Sequence, residues 1–263
     1  MVGLEHLCVR RLSDTPTTWL TFIRFAGAAP ILALSAISGG VPFPRWTSVA
    51  MIVAVLVPLE ASIGWLQMTA IQQGEQSSIG PLYGLSILFL VPLGWMILGE
   101  LPSTGGLISA LSVLAGALLV AGPGLITVPG SAASRMAGAA LAGALAVTIT
   151  RWLLVDETRT HPLVLAAISY AGAAAFSVPR PSQIRAPSHT IWLLGLGLAF
   201  IGAAVFHFYG LSLAPAAYVI AAKRSSIAWD VGFGWLSGES QTRWKIIGAS
   251  LIFGGCIGFY LIG

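Results

Sequence analysis

The sequence predicts an all-α protein, a polytopic helical bundle that spans a membrane several times. Charged residues are scarce, 8% of the chain against 56% hydrophobic, with a mean hydropathy of +0.88. A soluble domain carries roughly 25% charged residues. Glycine is abundant inside the apolar runs, 31 in 263 residues, as suits helices that must approach closely without a hydrophobic force between them. Runs such as LISALSVLAGALLVAGPGLI show none of the strict alternation that a transmembrane β-strand needs, so a barrel is excluded.

A helix needs roughly 20 apolar residues to cross the hydrocarbon core. Reading with that length gives nine candidate spans, at about 16–38, 47–70, 76–98, 104–122, 136–155, 162–178, 190–210, 215–236 and 244–262. The intervening stretches, among them SGGVPFPR, IQQGEQ, GELPSTG, PGSAASR and DETRTH, are short and rich in Gly, Pro and polar residues. None could hold a soluble domain. Trp46, Trp95, Trp152, Trp192, Trp235 and Trp244 fall near expected helix ends, as an interfacial aromatic belt requires.

The net charge of +4 comes from scattered basic residues, with Arg10-Arg11 and Lys223-Arg224 as the adjacent pairs. That pattern does not indicate nucleic-acid binding. Cys8 and Cys256 have no neighbouring partners for a disulfide or a thiolate metal site. MVGLEHLCVRRLSDT places its charge after a short apolar stretch, the reverse of a signal peptide.

An internal repeat is legible. When Glu100 is laid on Glu239, an offset of 139 residues, GWMILGE faces FGWLSGE and SALSVLAG (109–116) faces GASLIFGG (248–255). The expected halves are 1–130 and 131–263, with four spans before residue 135 and five after. An odd number of helices per repeat inverts one half against the other and puts binding at the midplane.

LYGLSILFLVPLGWMILGE and AYVIAAKRSSIAWDVGFGWLSGE, each followed by a glycine-bearing span, resemble the two halves of the EamA-domain branch of the drug/metabolite transporter superfamily. The family's LGE-type motif is matched by Leu98-Gly99-Glu100 and partly by Gly238-Glu239; Arg24 stands at its frequent Arg-Phe position. The resemblance implies ten helices, so this chain would begin in the last turn of helix 1. It departs from the family where Leu85-Ser86-Ile87 replaces a leucine-serine-proline motif. A cytoplasmic C-terminus is also implied, whereas the Lys and Arg distribution favours the opposite orientation.

The function so implied is transport of small organic solutes in the plasma membrane, a bacterial inner membrane being expected, by secondary active transport or exchange with alternating access. The substrate would be a small molecule and the lipid bilayer the other partner, with the protein a monomer or homodimer. The alternative is a truncated, non-transporting scaffold or subunit that pairs with another chain. No HExxH, GxSxG, P-loop or close carboxylate pair suited to catalysis occurs. No enzyme activity, cofactor or metal is therefore expected.

The candidate site residues follow from cost. A lone ionisable group near the bilayer centre costs roughly 2.5–3.5 kcal/mol on insertion scales, yet span 215–236 holds Lys223, Arg224 and Asp230. At 100° per residue Val219, Lys223, Ser226 and Asp230 share a face, with Tyr218, Ser225 and Trp229 as a neighbouring stripe. Arg224 points about 100° from Lys223. Lys223 or Arg224 would bind an anionic or zwitterionic solute, or else form a structural ion pair. Glu60, preceded by Pro58 and sharing a face with Gly64 and Gln67, is the candidate for proton coupling, because burial raises a carboxyl pKa. Its alternative is a salt bridge to Arg24, Lys223 or Arg224. His207 lies in an apolar stretch with no second ligand at metal spacing, and Glu100 and Glu239 end their helices in packing or gating roles.

Overall fold

Proline and glycine punctuate the chain, and the helices begin and stop on them. The computed structural model describes residues 5, 8–9, 12, 15–73, 79–122, 129–155, 160–181, 190–236 and 243–262. Among these, from Thr17 onward, nine helical segments follow one another without a strand. They are α1 (Thr17–Ser38), α2 (Trp46–Gln73), α3 (Gly80–Leu98), α4 (Thr104–Ala121), α5 (Gly130–Val155), α6 (Pro162–Phe176), α7 (Thr190–Leu213), α8 (Ala216–Leu236) and α9 (Arg243–Ile262). Six of them, α1 to α5 and α7, are long and apolar enough to cross a membrane. Large apolar side chains stand exposed on several, including Leu34, Ile37 and Leu213, and Trp46, Trp95 and Trp244 are exposed near helix ends. This is the outside of a bundle made for lipid.

Local chemistry sets the ends. Ser103 caps α4 by accepting from the Gly106 N–H at 2.9 Å. At the end of α3, Gly99 takes φ +66° and the Glu100 N–H returns to the Gly94 carbonyl at 3.1 Å, a left-handed stop that favours glycine. Helix α5 starts six residues before its expected position. Its first turn closes on Pro129, whose carbonyl accepts from the Ala132 and Ala133 N–H groups, so GSAASR is helix rather than loop. Two π-helical stretches also interrupt the α-helices, Ile52–Leu56 in α2 and Gly94–Leu98 in α3. The first includes Ala54, the residue four before Pro58, where a missing N–H frees a carbonyl. The wider turn is a local adjustment to that loss.

The helices sort into two compact units, and neither is a sequence half. One comprises Met1–Met68 with Ile149–Leu213, the other Thr69–Thr148 with Ala214–Gly263. In the first, α1 packs on α6 and α7, and Gly172 of α6 has no room for a Cβ because Val57 fills it. In the second, α4 and α9 form the tightest pair, running antiparallel with their backbones nearly touching. A Cβ on Gly116 would meet the Gly248 carbonyl oxygen and Ile252; one on Gly255 would meet the Ser109 carbonyl oxygen and Val113. Small residues permit this approach, which brings dispersion and backbone contact where water is absent.

Candidate functional site

Helix α8 carries Arg224 into the core of the second unit, where the residue is 5% exposed. The guanidinium donates from Nη2 to the Ser86 hydroxyl at 2.8 Å and lies 4.2 Å above the centroid of the Tyr83 ring. Both partners come from the start of α3, where a 3₁₀ turn over Gly80–Leu85 gives way to α-helix at Ser86. Tyr83 is confined in turn by Gly143 of α5, since a Cβ there would lie 2.5 Å from the tyrosine hydroxyl. The Arg224 Nε–H is buried without an acceptor among the described residues. A hydroxyl and a π face stabilise a cation by about 1–2 kcal/mol each without neutralising it. Among the described residues, the site is therefore a held positive charge with no carboxylate against it.

The rest of α8 surrounds that charge. Lys223 is half-buried and Ser226 is buried. Trp229 is largely exposed, its ring edge-on to Phe253 of α9 with centroids 6.0 Å apart. Tyr218 packs on Phe259 at 4.8 Å, its hydroxyl against Gly106. Cys256 of α9 donates to the Ala221 carbonyl at 3.4 Å, a structural contact. The Glu100 Oε2 accepts from the Ala216 N–H at 3.3 Å, so this acid caps the positive end of α8. The side chain of Asp230 and all of Glu239 lie outside the described residues.

The first unit holds Glu60, Gln67 and His207. Its central cation is Arg24 of α1, 12% exposed, whose Nε pairs with the buried Glu5 carboxylate at 2.8 Å. Arg24 also donates from Nη1 to Gln67 Oε1 at 3.4 Å and stacks over Phe200 at 4.3 Å. Gln67, a candidate on the Glu60 face, is thus a partner of Arg24. Phe25, Tyr170, Phe200 and Phe208 form a continuous aromatic core around the pair, with His207, 9% exposed, edge-on to Phe208 at 5.4 Å. Glu60 is half-buried. At the unit's polar edge, the Arg151 Nη1 donates to the Leu211 carbonyl at 2.6 Å and closes the C-terminal end of α7.

Glu5, Ser86, Tyr83 and Gly143 were not among the expected site residues. The signal for the first three was the need itself, because an arginine in an apolar helix requires acceptors. Periodicity along one helix does not say which other helix supplies them.

A bundle of long apolar helices with an arginine held among the helices of each unit defines a class, a polytopic membrane protein. Sequence comparison makes this more specific: residues 1–122 match the EamA-like transporter family. A solved crystal structure is similar in fold over 99% of this chain and 98% of its own, with a TM-score of 0.76 at 16% sequence identity. No curated protein matches the chain.

Proposed function

We infer that the protein is a secondary transporter or exchanger of small organic solutes with an anionic group, zwitterions included, and that α8 selects the charge. The observation that carries this reading is Arg224, a buried guanidinium held by Ser86 and Tyr83 with its Nε–H unused. Burying a cation without a neutralising partner is costly, and such groups mark substrate paths in membranes. A carboxylate or phosphate would supply the missing acceptor in bidentate geometry. Lys223, Ser226, Asp230, Tyr218 and Trp229 share the helix; within the first unit, Gln67 and His207 are assigned to solute binding and Glu60 to the coupling proton. All nine helices cross the membrane, in two inverted repeats that exchange access by rocking.

The repeat has support in the contact between α4 and α9. Under the 139-residue offset Ser109 matches Gly248, Val113 matches Ile252 and Gly116 matches Gly255. Exchanging equivalents turns the contact of Gly116 with Gly248 and Ile252 into that of Gly255 with Ser109 and Val113, and both occur. Contacts that map onto each other in this way are those of a two-fold relation between repeats. The compact units agree with it: Met1–Met68 moved by the offset lands on about 140–207, close to the Ile149–Leu213 segment of the same unit.

The test is flux in proteoliposomes over a panel of anionic, zwitterionic and neutral solutes. Arg224→Met is expected to abolish flux of the anionic or zwitterionic solute and Lys223→Ala to lower it, with insertion checked. Unchanged turnover in both variants would overturn the reading. Glu60→Gln is expected to remove the pH dependence of flux, and a retained pH dependence would dismiss the coupling role.

A further inference from the structure

Ser86 meets Arg224 with its oxygen and keeps its own proton. Thr21, Ser35, Ser112, Thr148 and Ser250 each donate to the carbonyl four residues back along their helix, a common outlet for a helical hydroxyl. Ser86 does not. The residue four before it, Leu82, lies in the 3₁₀ turn over Gly80–Leu85, whose carbonyls pair three residues on instead of four. The Ser86 oxygen accepts from Arg224 Nη2 at 2.8 Å, and a hydroxyl that accepts still has one O–H to give. Among the described residues no acceptor takes that proton.

Two donors thus stand together in the core of the second unit, the Ser86 O–H and the Arg224 Nε–H, which is buried without an acceptor. An ionised carboxylate accepts on both oxygens and can span two donors at once. One oxygen then takes the Nε–H and the other the Ser86 O–H. The charge of the ligand follows from the count of cations. Lys223, the next cation on α8, points about 100° away and already has an interaction of its own. A single guanidinium neutralises a monoanion, whereas a phosphate dianion would carry a second, unmatched charge into the bundle. The packing nearby is apolar. Ile227, one turn beyond Arg224 on the same side of α8, lies 4.0 Å from where a Gly84 Cβ would stand, with Ala117 at 3.0 Å.

We propose that the solute is a small monocarboxylate with an apolar body, and that Ser86 determines specificity by donating to its second carboxylate oxygen. This rests on the reading of Arg224 as the anion-binding group. The probes are butanoate and n-butyl phosphate, titrated calorimetrically into the full chain in lipid nanodiscs at pH 8, where the carboxylate carries one charge and the phosphate ester close to two. Saturable binding of butanoate is expected, at least tenfold tighter than that of the ester. Ser86→Ala should weaken butanoate at least fivefold, and Ser86→Thr, which restores a hydroxyl, should recover most of that loss. No saturable butanoate binding to the native chain, equal affinity for the two probes, native-like butanoate binding by Ser86→Ala, or a Ser86→Thr variant as weak as Ser86→Ala overturns the proposal. Arg224→Met separates it from the reading beneath it. If the native chain binds both probes equally and Arg224→Met binds neither, the anion reading stands and only the carboxylate proposal falls. Butanoate binding unchanged in Arg224→Met overturns both.

Discussion

Each of the two units of this protein holds an arginine among its helices, and the two differ in the polar groups that meet the charge. Arg24 has a carboxylate at 2.8 Å, an amide oxygen and an aromatic face; Arg224 has a hydroxyl at 2.8 Å and an aromatic face. The first charge is neutralised inside the protein. The second is stabilised but, among the described residues, left with its sign. A neutralised pair can fix helices in place and has little left to offer a solute. A held but uncancelled cation costs stability and is retained where a ligand completes it.

The sharpest way to break this contrast is to remove each guanidinium in turn. Arg24→Met strands the buried Glu5 carboxylate and is expected to cost about 3–5 kcal/mol, read as a lowered unfolding temperature in detergent. Adding Glu5→Gln should recover most of it. Arg224→Met strands no carboxylate known from this structure and should cost less than about 2 kcal/mol while abolishing flux. Equal losses of stability at the two sites would end the distinction.

Gly143→Ala tests the second site more gently. Its methyl group would collide with the Tyr83 hydroxyl and displace the ring from Arg224, at a cost of about 1–3 kcal/mol, with flux reduced. Gly197→Ala is the matched control in the first unit. A Cβ there meets nothing within 4 Å, so stability should stay level or rise by up to about 1 kcal/mol, as thermal unfolding would show.

The smallest effect concerns His161, whose Nδ1 accepts the Leu163 N–H at 3.3 Å and caps α6. Only the neutral ring can accept there, and desolvation holds its pKa below the ordinary 6.5. A base with a lowered folded pKa contributes its stability in full above the unfolded value and loses it as pH falls through the folded one. Unfolding temperature should therefore drop by the equivalent of about 1 kcal/mol at pH below 6. His161→Asn keeps a capping oxygen and should remove that dependence; a Tm profile from pH 8 to 5 would show it.

Much of the fold was legible because lipid constrains sequence so tightly. Length, composition and interfacial tryptophan placed every described helix within a few residues, except the start of α5, where Ser, Gly and Arg suggested a loop and Pro129 opened a helix. Arg224 was legible as a cost. Its acceptors were not, because Ser86 lies 138 positions away and is brought near by packing alone. Glu5 escaped notice for the same reason; the partner sought for Arg24 was Glu60, the acid within an apolar span, rather than the one near the start of the chain. The π turns also left little trace, since each widens a helix by a single residue beside a proline whose effect has several outlets.

The make-up of the compact units sets an order of events during synthesis. Val57 is complete only when Gly172 arrives against it, and the chain between them takes on the order of ten seconds to translate. Throughout that interval the first helices must wait in the bilayer with their packing faces toward lipid or toward an insertion factor. Arg24 need not wait with its charge exposed, because Glu5 has already left the ribosome ahead of it. Arg224 emerges long after Ser86 and Tyr83, and enters a membrane in which both of its acceptors are already in place.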